Sequence, residues 1–187
     1  MPLKICGIDE AGRGCLAGPV VSAAIIIDKD KIPSGVKDSK RLTEARRNEY
    51  YKILISEAVS YSVGIASHVE IDKINILRAA MLSMQRAFDG LSVKPDIAII
   101  DGPTIPEGLN DVFGLKAISV IKGDDRVRVV SCASVIAKVY RDEIMLLLDE
   151  KYPRYGFKKH KGYATLEHKK NLMKYGLSEI HRKTFKF

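Results

Sequence analysis

The stretch CGIDEAGRGCLAGP, residues 6–19, decides how this chain is read. An apolar run ends on two adjacent carboxylates, Asp9 and Glu10, and Arg13 follows between Gly12 and Gly14. Adjacent carboxylates repel one another, whereas an arginine on a glycine turn is placed to meet an anion. The pattern therefore asks for a cation beside the acids and a negatively charged ligand beside the arginine.

The surroundings give the fold class. Residues 3–9 and 20–27 are short, β-rich apolar runs on either side of the glycine-rich connection, and Asp28-Lys29-Asp30 ends the second. In residues 59–67, Val59, Tyr61, Val63 and Ile65 alternate with Ser60, Ser62 and Gly64, the period of a half-buried strand. A helix is predicted over 43–57, ahead of that third strand. Ile71, Ile74, Leu77, Met81, Met84 and Phe88 recur at spacings of three and four, which predicts one apolar helical face with the methionines as core filler. Residues 97–100 and 117–121 lack alternation and are bounded by turn residues, as expected of strands covered on both faces. Helical patterns follow over 129–148 and 165–175, the latter stopped by Gly176. This order predicts an α/β fold with a central mixed sheet flanked by helices. Residues 1–150 are read as the core and 151–187 as a helical segment packed on it, a single domain overall.

With 187 residues, 46% of them hydrophobic and 29% charged, the chain is sized for one full core. Its longest apolar runs are far too short to span a bilayer, and the N-terminus lacks a signal-type core. Cys6, Cys15 and Cys132 are odd in number and scattered, so reduced thiols and a cytoplasmic location are expected. No oligomerisation signal stands out, and a monomer is expected. The net charge of +8 is unevenly divided. Residues 151–187 hold 11 basic and 2 acidic side chains, leaving 20 and 21 for the rest of the chain. Tyr152, Tyr155, Phe157 and Tyr163 interleave with that basicity, which suits a phosphate backbone with aromatics reaching sugars or bases.

Acids stand at three places where predicted strands run out. Asp9 closes the first with Glu10 directly after it, Asp101 closes the run at Ile100, and Asp124 follows the fifth strand in Lys122-Gly123-Asp124. Ligands of open α/β sheets bind beyond the carboxyl ends of strands. A lone Asp there is ordinarily a turn former or cap. Turn chemistry accounts for Asp9 but not for Glu10 beside it, nor for the glycine-rich loop and the basic C-terminus. Two like charges about 4 Å apart repel by about 4 kcal/mol at an effective dielectric near 20, so convergent acids require a counter-charge. All-oxygen ligands select Mg²⁺ or Mn²⁺ over zinc. A pair of such ions suits hydrolysis of a phosphodiester.

Eight stretches in order complete the reading: GIDEAGRG (7–14), AGPVV (17–21), DSKRL (38–42), EIDKINIL (70–77), IIDG (99–102), KGD (122–124), ASVIAKVYRD (133–142) and YGFKKHKGYAT (155–165). With them the chain resembles the type 2 ribonucleases H, the ribonuclease HII family, over nearly its whole length. The resemblance implies a ribonuclease H-like fold and Mg²⁺- or Mn²⁺-dependent cleavage of the RNA strand of RNA·DNA hybrids. It also implies nicking 5′ of ribonucleotides embedded in duplex DNA, leaving 3′-hydroxyl and 5′-phosphate ends. The family's four acids match Asp9, Glu10, Asp101 and Asp124, the last preferred to Asp125 by the Lys-Gly spacing. Its Gly-Arg-Gly loop matches Gly12, Arg13 and Gly14, and its junction-sensing tyrosine matches Tyr163. Glycines let main-chain groups approach a sugar closely enough to test for a 2′-hydroxyl. Ser39 and Lys40 are expected as phosphate contacts.

Cys15 departs from the proline that many relatives carry and is expected to be a buried free thiol. His160, His168 and His181 are read as hydrogen-bonding or phosphate-facing groups, and Asp142 either caps a surface or approaches the metals. Two rival readings share part of the pattern. A non-catalytic nucleic-acid-binding protein needs only the basic C-terminus, and a DNA-junction nuclease of related fold needs the acids but neither Gly12-Arg13-Gly14 nor Tyr163.

Overall fold

Strands β1 (Ile5–Ala11) and β2 (Val20–Ile26) pair antiparallel, and the glycine-rich connection between them leaves the sheet and returns. The computed structural model describes residues 3–36 and 42–186. Helix α1 (Glu44–Glu57) starts where Thr43 accepts a hydrogen bond from the Arg46 main chain, and it leads into β3 (Ser60–Ala66), antiparallel to β2. Helix α2 (His68–Asp89) opens on a reciprocal cap: Ser67 accepts from the Glu70 N–H and Glu70 accepts from the Ser67 N–H. Then come β4 (Ile97–Asp101), the short α3 (Glu107–Asn110), β5 (Lys116–Val120) and the short α4 (Gly123–Arg126). Helices α5 (Arg128–Lys151), α6 (Phe157–His160) and α7 (Leu166–Tyr175) complete the chain, with α7 capped by Thr165 and ended by Gly176. The sheet order is β3-β2-β1-β4-β5, with β4 and β5 parallel to β1, so the sheet is mixed.

Helices cover both faces. On one, Ala23 and Ile25 of β2 pack with Tyr50 and Leu54 of α1 and with Val130, Ala133 and Ile136 of α5. On the other, Ile8, Ala24, Ile26 and Ile100 meet Met84, Ala87 and Phe88 of α2. Each of the Ile, Leu, Val, Met and Phe side chains among them stabilises the fold by about 1.5–3 kcal/mol through burial. Gly7 sets how close α5 comes, because any Cβ there would run into the Val129 carbonyl.

Two expectations need correction. The apolar face read through α2 is not continuous: Asn75 adopts φ 65°, its side chain caps the Arg78 N–H, and Leu77 is 49% exposed. The kink at Asn75 resets the helical phase. Strand β5 is not covered on both faces. It is an edge strand pairing only with β4, partly exposed along its length, and Ile121 beyond it is 62% exposed. The helix-poor flank of the sheet explains the difference.

The C-terminal elements close over the other end of the β1–β2 connection. Leu16 and Ala17 pack with Met145 of α5 and with Phe157, Leu172 and Ile180. Among the described residues, no helix is long and apolar enough to cross a membrane.

Candidate active site

The acids begin where β1 loses a neighbour. Strand β4 accompanies β1 only as far as Ile8↔Ile100, whereas β2 follows it to Ala11↔Val21. Asp9 and Glu10 therefore lie inside β1 rather than at its close, because the pairings Asp9↔Ala23 and Glu10↔Ser22 carry the strand onward. Asp101 is the last residue of β4, one step beyond the shared register. One carboxylate oxygen from each of Asp9, Glu10 and Asp101 lies within 4.8 Å of the others.

Burial makes this arrangement electrostatically tense. Asp9 is 4% exposed, and its carboxyl is pushed well above the usual range by burial and then by the charges of Glu10 and Asp101. Its Oδ1 accepts the Glu10 N–H at 2.7 Å, and Ser134 of α5 also hydrogen-bonds it. Burial raises Glu10 to about 7 against the opposing influence of Arg13, whose Nη1 donates to Oε1 at 3.2 Å. Both shifts favour protonation without a cation, so a divalent ion suits the site. The donors are all carboxylate oxygens, which match Mg²⁺ or Mn²⁺.

Asp124 joins through its backbone. It is buried in the first turn of α4, and the N–H groups of Gly123 and Asp124 point at Asp101 Oδ1, at 2.6 and 3.4 Å. Ser131 Oγ donates to the Asp124 carbonyl at 2.5 Å. The carboxylate of Asp124 is not one of the three gathered within 4.8 Å.

The Gly-Arg-Gly loop edges a groove of about 380 Å³ that also takes in Glu10, Lys138 and Tyr163. Gly12 has φ +98°, and a Cβ would collide with the Arg141 guanidinium, so no other residue fits. At Gly14 a Cβ would meet nothing within 4 Å, so its side faces open space. The Tyr163 residue is 40% exposed, and Lys138 Nζ and Arg141 Cζ stand 5.4 and 5.9 Å from its ring centroid.

Two arginines hold this loop, and the sequence analysis missed both. Arg182 is 1% exposed and donates to the carbonyls of Gly12, Arg13, Gly18 and Pro19 at 2.7–3.2 Å. Fully buried Arg141 donates to Ala17, Pro19 and Lys161 at 2.9–3.1 Å. Ser131, Ser134 and Lys138 were also missed, although with Arg141 their spacing of three, four and three marks one polar stripe along the otherwise apolar residues 129–139 of α5. That stripe was a usable signal.

Asp142 neither caps a surface nor joins the three acids: it accepts from Lys138 Nζ at 2.6 Å and faces Arg47 at 3.8 Å. Cys15 is a buried thiol raised by burial, and it interacts with the Tyr163 side chain. His160, His168 and His181 are buried and hydrogen-bonded rather than turned towards solvent. Ser39 and Lys40 lie outside the described residues.

The family model for ribonuclease HII matches residues 6–187. The chain is 46% identical to the ribonuclease HII of Caldicellulosiruptor bescii over 97% of its own length and 85% of that protein. It is also 46% identical to the ribonuclease HII of Clostridioides difficile, over 98% of this chain and 70% of that one. Among solved structures it resembles the ribonuclease H2 of Pyrococcus horikoshii OT3 with a TM-score of 0.82 and 31% identity, covering 98% of this chain and 94% of that one. Gathered acids, a glycine loop tied down by arginines and a near-complete match thus agree, and the chain belongs to the ribonuclease HII family.

Proposed function

We propose that this chain cuts the RNA strand of RNA·DNA hybrids and nicks DNA duplexes 5′ of embedded ribonucleotides, leaving 3′-hydroxyl and 5′-phosphate ends. Family membership supports the reaction class, a metal-dependent endoribonuclease of the ribonuclease H type. The observation that carries the rest is the meeting of Asp9, Glu10 and Asp101 in a partly buried, all-oxygen cluster that favours a divalent cation.

Asp9, Glu10 and Asp101 would hold Mg²⁺ or Mn²⁺, with Asp124 as the fourth acid because its main chain is tied to Asp101. Bound as a pair, such ions supply an activated water and charge stabilisation on the leaving 3′ oxygen. The protein does the placing. Arg13, 47% exposed at its side chain, neutralises part of the Glu10 charge and stands ready for a phosphate. The open side of Gly14 admits a ribose edge, where main-chain groups test the 2′-hydroxyl. Tyr163, held at the groove by its pairing with Cys15, stacks on the next deoxyribose and disfavours a second 2′-hydroxyl. Ser39 and Lys40 contact phosphates, and the chain acts as a monomer in the cytoplasm, with 151–187 as part of one domain.

The test is a paired cleavage assay with and without Mg²⁺ or Mn²⁺. The expected result is metal-dependent nicking of a duplex bearing one ribonucleotide while the all-DNA duplex stays whole. Equal cutting of both, or cutting in excess chelator, overturns the reading.

A further inference from the structure

Behind Tyr163 lies a closed chain of hydrogen bonds through two buried histidines, and its direction is fixed from both ends. The Ser178 main-chain N–H can only donate, and it meets His181 Nδ1 at 2.9 Å, while the Ser178 hydroxyl, 2.7 Å from the same nitrogen, can turn to donate as well. His181 Nδ1 is therefore an acceptor and its proton sits on Nε2, which faces His168 Nε2 at 3.0 Å. His168 must accept there, which leaves its proton on Nδ1, 2.9 Å from the carbonyl oxygen of Tyr163. A carbonyl can only accept, so the assignment reached from Ser178 closes at Tyr163 without conflict. His160 behaves likewise: the Gly162 N–H donates to its Nδ1, and its Nε2 donates to the Tyr155 carbonyl.

The three imidazoles pack against one another, with His181 tilted 43° to His168 at 5.2 Å. His160 and His168 lie 4.3 Å apart at 15°, and Phe157 sits edge-on to both. Exposures of 7, 0 and 1% for His160, His168 and His181 keep phosphates and water away from the rings. Burial lowers His168, and it lowers His181 to about 4, in keeping with neutral rings. The same residues bracket the strand leaving the Gly-Arg-Gly loop, since Cys15 pairs with Tyr163 and Ala17 with His181.

We propose that His181 and His168 are positioning residues: their chain from Ser178 pins the Tyr163 carbonyl and so fixes the ring against the groove, setting preference for a ribonucleotide–deoxyribonucleotide junction without touching substrate. This rests on the sugar-sensing reading of Tyr163 given above. A displaced carbonyl would let the ring swing, and misplacement of about 1 Å at a reacting centre costs up to about 100-fold.

Selectivity is measured as the kcat/KM ratio between a duplex with one ribonucleotide and a continuous RNA·DNA hybrid of the same sequence, for the wild type, Tyr163→Ala, His168→Leu and His168→Asn. His168→Leu is expected to lower the ratio about tenfold, through kcat more than KM. His168→Asn keeps an N–H near the Nδ1 position and should recover most of it. If Tyr163→Ala leaves the ratio unchanged, the reading of Tyr163 falls. If Tyr163→Ala alters the ratio while a folded His168→Leu does not, the positioning role falls and Tyr163 stands. Nitrogen-15 spectra of histidine-labelled wild-type protein test the chain independently of any variant. Protons on His168 Nδ1 and on His181 Nε2 are expected, and a His168 proton on Nε2 would overturn the proposal.

Discussion

Arg182 Nη2 donates to the carbonyl of Gly12 at 2.7 Å across 170 residues of chain, so the segment after α7 holds the turn beside β1. The same guanidinium reaches Arg13, Gly18 and Pro19, and burial lowers its pKa to about 10, still charged at neutral pH. Arg182→Leu would strand several buried carbonyls at once. We expect a loss of about 3–5 kcal/mol, and a melting temperature lower by about 10 °C. Arg182→Lys should recover little, because one ammonium cannot span four carbonyls. Thermal melts of both variants check this.

Gly12 and Gly14 should separate cleanly despite being two residues apart. Gly12→Ala forces a side chain into φ +98° and against Arg141, so it should destabilise the fold by about 2–4 kcal/mol. Gly14→Ala meets open space, and its melt should stay within about 0.5 kcal/mol of wild type. Its kcat/KM on a single-ribonucleotide duplex should nevertheless fall about tenfold or more, since the methyl group occupies the approach to the sugar.

Charge repulsion alone says that neutralising Asp101 relaxes the metal-free protein. The structure adds that Asp101 Oδ1 accepts the Gly123 N–H at 2.6 Å. Asp101→Asn retains an acceptor and removes a charge, so its metal-free melting temperature should equal or exceed wild type. Asp101→Ala removes both and should lose about 1–2 kcal/mol. Turnover in Asp101→Asn should drop by at least about 100-fold, the scale of losing metal-borne charge stabilisation.

Stability without metal should depend on pH through Glu10. Its folded pKa of about 7 exceeds the ordinary 4.5, so between these values the folded protein keeps a proton that the unfolded chain has released. The contribution is complete below 4.5 and disappears as pH rises through 7. His181, lowered to about 4 from 6.5, acts in the opposite sense: its contribution is present above 6.5 and lost as pH falls through 4. The diagnostic quantity is therefore the melting difference between wild type and Glu10→Gln, which should widen in favour of the variant from pH 4.5 to 8 and shrink when Mg²⁺ is added to the wild type. A difference independent of pH would contradict the assignment.

Much of this protein was legible as sequence because the signals were periodic or local. Alternation over 59–67 gave β3, Thr43 and Gly176 marked helix ends, and placing acids where strands run out brought Asp9, Glu10 and Asp101 towards one region. Tertiary structure decided the rest. The extension of β1 through Glu10 depends on β2 outrunning β4, and the break in α2 depends on one asparagine at φ 65°. Arg141, Arg182 and the histidine chain act on main-chain carbonyls and N–H groups, which every residue carries alike. Such partners leave no mark in composition or spacing, and only the folded path of the backbone brings them within reach.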